Sequence, residues 1–316
     1  VIFQKAIITP GAGRINLSKG MAAKLQAIPL KTFTGHQSAV YALCSDGDVG
    51  FFSAGGDGML VRWNLEEQDG VLVARIPDNV YCLAFDNLRH TLLAGTRKGE
   101  LFVITDILST TPIVKRFEAH VKGLYNLMVT DDGYVSSGGD GNILFWDRQF
   151  QVVEKINNSP ESTRALCYDH EHNLWAGSSD NAIRIYNRDL QLQSIQYQHT
   201  SSIFSICALP SGRLISGGRD ATLKVWENTQ NHEGSIAAHL LHIHAIELQP
   251  SANWVATASM DKTVKIWDAS SLELLKVLEA SKLVFHRSSV NTLLWLDERL
   301  LVSAGDDRTI YLTEIT

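Results

Sequence analysis

Four blocks of this 316-residue chain place a hydroxyl, a carboxylate and an indole at one spacing, Ser/Thr-x3-Asp-x5-Trp. They are Ser53, Asp57 and Trp63; Ser136, Asp140 and Trp146; Ser216, Asp220 and Trp226; and Thr257, Asp261 and Trp267. A histidine precedes each block: His36, His120, His199 and His239. Serine, histidine and aspartate together are the side chains of a hydrolytic triad. A triad, however, occurs once per site, whereas this constellation returns at a fixed offset with an added Trp. No Gly-x-Ser-x-Gly elbow presents a nucleophile. The recurrence fits buried polar groups that satisfy one another, at about 1 kcal/mol net per hydrogen bond. No catalytic residue is assigned, and the chain is not expected to be an enzyme.

Three other patterns have residue types that could do chemistry. His239-Leu-Leu-His242-Ile-His244 is the best metal candidate, because His242 and His244 fall on one face of a strand. A metal needs a third or fourth ligand, and the sequence offers no partner, so no metal and no cofactor is expected. The Gly-Gly-Asp-Gly stretches are turns, since no Gly-x4-Gly-Lys-Ser/Thr occurs and a strand follows them. Cys44, Cys167 and Cys207 share one repeat position and read as small apolar packing residues. Together with Cys82 they form no CxxC pair, which suits reduced thiols in a cytoplasm.

The elements that must position these side chains repeat. Weaker copies run from Ala94 to Ile104, with Lys98 in the Asp place, from Ala176 to Tyr186 with Asp180, and from Ser303 to Thr313 with Asp307. The final positions are 63, 104, 146, 186, 226, 267 and 313, giving steps of 41, 42, 40, 40, 41 and 46. Each unit opens on a short apolar run rich in β-formers, such as Val40-Tyr-Ala-Leu-Cys44 or Ile203-Phe-Ser-Ile-Cys207. A second run follows (Phe51 to Ala54, Trp254 to Ala258), then a tight Asp-Gly or Asp-Lys turn. A third run alternates, as in Thr263 to Trp267, and a fourth (Leu272 to Val277) leads to the next unit. Four strands repeated seven times predict an all-β, seven-bladed propeller of four-stranded antiparallel blades.

From about Leu25 to Thr316 the chain resembles the WD40-repeat family, whose pattern is a Gly-His or lone His, the Ser/Thr-x3-Asp block and a terminal Trp-Asp. Gly35-His36 opens the first unit, and Trp146-Asp147 and Trp267-Asp268 close the third and sixth. The resemblance implies that His, Ser/Thr, Asp and Trp form a hydrogen-bonded tetrad in each of the four complete units. The seventh unit has His286, Ser303 and Asp307 but Thr313 for Trp. Units two and four depart further, so their blades are expected to be held by packing alone and to be softer. The chain reaches only the third strand of unit seven. Leu25 to Phe33 is therefore expected to close the ring by pairing with Thr309–Leu312.

Residues 1–20 lie outside the repeat pattern and read as an N-terminal extension, with Met21 a natural start and Gln4–Thr9 a candidate extra strand. Residues 21–316 are expected to form one domain. That stretch of 1–20 lacks a basic start followed by an apolar block, so no secretory signal is expected. No run approaches 18 uninterrupted apolar residues, which argues against a spanning helix. The net charge is −6, from 28 Lys and Arg against 34 Asp and Glu, without the basic footprint of a nucleic-acid binder.

The resemblance also implies that partners are gripped at the top face and channel mouth. Three positions per unit point there: the two flanking the first apolar residue of strand one, and the one before the tetrad Asp. The inner column reads Tyr41, Tyr81, Tyr125, Arg164, Phe204, His244 and Asn291. Its companions are Ala39, Asn79, Gly123, Ser162, Ser202, His242 and Ser289. The turn column reads Gly56, Arg97, Gly139, Ser179, Arg219, Met260 and Asp306. Aromatics beside arginine are enriched at interface hot spots. Arg97, Arg164 and Arg219 give the rim positive character, and an acidic peptide is the natural complement. The long step into unit seven adds Ala280 to Phe285, expected as a top-face loop whose Leu283, Val284 and Phe285 pack down or meet a partner. The sequence thus predicts a non-catalytic binding scaffold for another protein or peptide, monomeric on its own. Two rivals are a small-ligand or metal-binding propeller using His242 and His244, and a structural subunit of a larger assembly.

Overall fold

The computed structural model describes residues 25–67, 69–251 and 253–316. Twenty-eight strands, β1 to β28 in chain order, form seven separate four-stranded antiparallel sheets among those residues. The first blade shows why the sequence folds this way. Its strands are β2 (Val40–Ser45), β3 (Gly50–Gly55), β4 (Met59–Asn64) and β5 (Val71–Arg75), paired in that order. β3 is buried along its whole length, whereas β5 is an outer edge with only Val73 turned inward. The turn from β3 to β4 depends on Gly58 at φ +68°, where a Cβ would lie 2.0 Å from the Ile76 carbonyl oxygen.

The core is not central but lies in seven wedges, each between consecutive blades. Phe52, Leu60, Leu92 and Phe102 meet between blades one and two, and Trp175, Ile203 and Trp226 between blades four and five. The Trp175 and Trp226 rings sit edge to face at 6.0 Å. A blade therefore has no core of its own, and each buries its faces only against its neighbours.

The ring closes through β1 (Ala27–Phe33), which pairs antiparallel with β28 (Ile310–Ile315), from Phe33 opposite Ile310 to Ala27 opposite Ile315. Closure thus runs further down the chain than Thr309–Leu312, and Thr309 lies outside the ladder. Phe33, Phe51, Trp63, Val302 and Ile310 pack across this seam. The expectations for residues 1–20, the Gln4–Thr9 strand and the Met21 start fall outside the described residues.

A belt of buried hydrogen bonds ties the top turns to the blades. Trp63 Nε1 donates to Ser53 Oγ at 2.7 Å, His36 Nε2 lies 2.7 Å from the same oxygen, and His36 Nδ1 lies 3.0 Å from Asp57 Oδ2. One proton arrangement satisfies every group: Trp to Ser, Ser to His Nε2, and His Nδ1 to Asp, with a neutral ring. The same chains run through His120, Ser136, Asp140 and Trp146. They recur through His199, Ser216, Asp220 and Trp226, and through His239, Thr257, Asp261 and Trp267. His286 joins Ser303 and Asp307, leaving blade seven one member short. Each Asp also accepts the backbone N–H after the His, as Asp57 does from Gln37 at 2.7 Å.

Blade four corrects an expectation. It is not held by packing alone: Asn158 takes the His place and Tyr186 the Trp place. Tyr186 donates its hydroxyl to Asn158 Oδ1 at 3.0 Å, and Asn158 Nδ2 donates to Thr163 Oγ1 and Ser178 Oγ at 2.8 and 2.9 Å. Asp180 is held by Arg184 at 2.6 Å. In blade two Ile76, Ala94 and Ile104 fill the corresponding places as buried apolar groups. The loop-to-turn bond there is inverted, with Asp78 of the loop accepting the Lys98 N–H at 2.8 Å.

Candidate functional site

The innermost strands β2, β6 (Val80–Asp86), β10 (Leu124–Val129), β14 (Thr163–Tyr168), β18 (Ile203–Ala208), β22 (Ile243–Leu248) and β26 (Val290–Trp295) line the central channel. Each carries a one-residue register shift near its start, between Val40 and Ala42 in β2 and between Ile203 and Ser205 in β18. The residue inside the shift is Tyr41, Tyr81, Tyr125, Arg164, Phe204, His244 or Asn291. A bulge re-aims its side chain, so the inner column leaves the blade faces. All seven side chains line one cavity of about 470 Å³ at the channel mouth, with His242, Asn126, Ser205, Ala245 and Thr292.

The companion and turn columns brace this mouth. In every blade the turn-column N–H donates to the companion carbonyl, from Gly56 to Ala39 at 2.8 Å through Met260 to His242 and Asp306 to Ser289, both at 2.9 Å. The strand ends are therefore fixed to the turns that flank them.

Around the mouth the side chains stack in series. Tyr41 meets Tyr81 edge-on at 5.5 Å, and Tyr81 stacks on Tyr125 at 5.7 Å. The Arg164 guanidinium lies 4.0 Å from the Tyr125 ring centre and 5.4 Å from that of Phe204. Phe204 in turn stacks on His244 at 5.8 Å with a 7° interplanar angle. Two cation–π contacts and the Arg164 Nε bond to Ser179 Oγ at 3.1 Å set the orientation of the guanidinium. Burial, with His242 and Arg164 nearby, pulls His244 down to about 4, so the ring is neutral at pH 7. Burial, then Arg219, pulls His242 down as well. Across the mouth, Asp306 accepts Asn291 Nδ2 at 2.7 Å. Burial and the Asp306 charge raise Tyr41.

Other rim positions differ from expectation. Phe285 does not face the top. It is 3% exposed, with its ring 4.9 Å from His286 and 5.5 Å from Tyr311, because the extra residues fold over the wedge between blades six and seven. Leu283 packs against the same cluster, and only Val284 stays exposed. Arg97 lies outside the mouth, paired with Asp78 at 3.3 Å in a neighbouring groove. Arg219 and Met260 are exposed on the rim. The sequence reading missed Asn126, Ser205, Ala245 and Thr292. The signal was present, since each directly follows an inner-column residue, beyond the bulge.

His242 and His244 both line the mouth, with ring centres 6.1 Å apart. Among the described residues, no three His, Cys, Asp or Glu side chains gather as a metal site. Among the described residues there is no helix long and apolar enough to cross a membrane.

Seven four-stranded antiparallel blades around a channel define a seven-bladed β-propeller. Residues 27–64, 111–147, 190–227 and 231–268 match the family described as WD domain, G-beta repeat, so the chain carries four WD40 repeats. The matched segments are those with complete tetrads. Proteins of this family generally serve as non-catalytic platforms for other proteins. The chain is 23% identical over 296 residues to apoptotic protease-activating factor 1 of Homo sapiens, covering 86% of this chain and 22% of that protein. It is 24% identical over 298 residues to the 66 kDa stress protein of Physarum polycephalum, covering 89% and 47%. It thus spans under half the length of either relative. The solved WD40 β-propeller domain of Doa1 matches with a TM-score of 0.82 at 16% identity, covering 92% of this chain and 97% of that one. That likeness concerns the fold.

Proposed function

We propose that this chain is a non-catalytic binding platform that grips a protein or peptide at its top rim and channel mouth. One observation carries the reading: a bulged residue from every blade converges on a single cavity, and the only guanidinium in it is clamped between two aromatic rings. With Nε engaged by Ser179, the terminal nitrogens of Arg164 are the groups left to meet a carboxylate bidentately. Arg219 adds charge at the rim, so the complement is an acidic side chain or carboxyl terminus. Tyr41, Tyr81, Tyr125, Phe204 and His244 supply apolar contact, with Asn291 and Met260 beside them. Rigid presentation limits the entropy lost on binding. The cysteines, all free, suit a reducing cytoplasm, and residues 21–316 act as one unit.

The test is titration with two pools of acetylated hexapeptides, one rich in Asp and Glu and one in Lys and Arg. The acidic pool should bind at least about tenfold tighter, a difference of about 1.4 kcal/mol. Arg164→Ala should remove that preference. Equal binding of the two pools would refute the acidic assignment.

A further inference from the structure

Below the mouth the channel continues into a second cavity of about 350 Å³, which shares Asn126, Phe204 and Ser205 with the first. Its walls are small or apolar: Ala165 and Cys167 on β14, Ser205 and Cys207 on β18, Ile246 on β22. One charged side chain lies among them, Glu247 of β22, about 10 Å of strand below His244.

Glu247 is half-buried, and among the described residues its carboxylate has no ion-pair partner. Burial pushes its carboxyl up to about 7, and among the described residues no hydrogen bond or neighbouring cation draws it back. The groups facing it are the thiols of Cys167 and Cys207. Burial raises both, Cys167 to about 11, and both donate to carbonyls of their own strands, Tyr168 and Ala208. Ser205 Oγ accepts the Ile246 N–H at 3.1 Å. On the neighbouring β23 (Trp254–Ser259), the residue opposite Glu247 is Ala256. A carboxylate without a partner is costly at such a site, and a ligand that brings a cation removes the cost.

We propose that this lower channel is a receptor for a primary ammonium on an unbranched apolar stem, a lysine side chain of the bound peptide, with Glu247 as its counter-ion. Small and apolar walls suit the methylene stem, and the lone carboxylate below suits a compact ammonium. The inference rests on the peptide-binding reading of the mouth. Arg164 takes the acidic group at the top while Glu247 takes the lysine beneath, so the occupant carries an acid and a lysine side by side.

The experiment uses the full chain and two probes, acetyl-Asp-Lys-amide and acetyl-Asp-norleucine-amide, titrated calorimetrically at pH 7.5. The wild type should bind the lysine probe about tenfold more tightly than the norleucine probe. Glu247→Gln should erase that ratio, and Glu247→Asp should keep part of it. Arg164→Ala should weaken both probes equally. A ratio near one in the wild type, or a ratio that survives Glu247→Gln, overturns the receptor while leaving the mouth reading intact. Failure of both probes to bind the wild type overturns the receptor and counts against the mouth as well. An unchanged unfolding midpoint for Glu247→Gln establishes that the variant is folded.

Discussion

The tetrad belt and the channel mouth are built on the same seven-fold frame and treat it in opposite ways. In the belt, four blades repeat one set of side chains, and blade four reaches a similar result with Asn158 and Tyr186. At the mouth, one equivalent position holds three Tyr, one Arg, one Phe, one His and one Asn. Repeated polar groups satisfy each other and leave nothing for a ligand. At the mouth Arg164 is held from three sides, yet among the described residues its terminal nitrogens make no hydrogen bond. The comparison separates what holds the ring from what the ring offers.

Belt substitutions should cost stability and spare binding. His199→Ala leaves Ser216 and Asp220 without their shared partner, and a loss of about 3 kcal/mol is expected from urea unfolding. Asn158→Ala breaks the blade-four network and should cost about 2 kcal/mol, with Tyr186→Phe nearer 1 kcal/mol. No loss at Asn158 would mean that packing does hold blade four.

Acid should act on the same belt in two stages. Burial lowers His120 and His239 against the pull of their Asp partners. The unfolded chain therefore binds more protons than the folded one as pH falls below about 6.5, and stability present above that pH is lost on acidification. Asp220 and Asp261 are also lowered: burial opposes this, but His199 and His239 and the backbone N–H of Thr200 and Leu240 prevail. Their contribution is lost as pH falls below about 4. Unfolding midpoints across pH 3–8 should show both declines, and a flat profile from 7 to 5 would contradict the histidine part. The smallest stability effect belongs to the mouth. Arg164→Ala should shift stability by no more than about 1 kcal/mol, since it removes two part-exposed cation–π contacts, while reducing peptide binding at least about tenfold.

Much of this was legible because the repeat is a physical period. The 40–42-residue steps, the Asp-Gly turns and the alternating third strands gave blade number, strand count and the closing strand. The four tetrads were legible because identical chemistry returned at identical spacing. Blade four was not, since Asn158 and Tyr186 imitate the network with other side chains, and Ser178 lies two residues from the expected place. The inward turn of Phe285 is not legible, because a surplus of residues in a loop does not say whether an aromatic folds inward. The bulges were hidden in the sequence. The inner column was nevertheless found, because position in the repeat locates a strand end even where backbone pairing does not reveal the turn of the side chain.

The most direct test compares what co-purifies with three forms of the protein. These are the wild type, a Tyr41→Ala/Tyr81→Ala/Phe204→Ala variant, and a Val71→Ala/Ile113→Ala/Val153→Ala variant altered on exposed outer strands. With all three folded, a partner should stay with the wild type and the outer-strand variant and be lost from the mouth variant. Retention by the mouth variant, with loss from the outer-strand variant, would place binding on the sides of the ring and contradict the account.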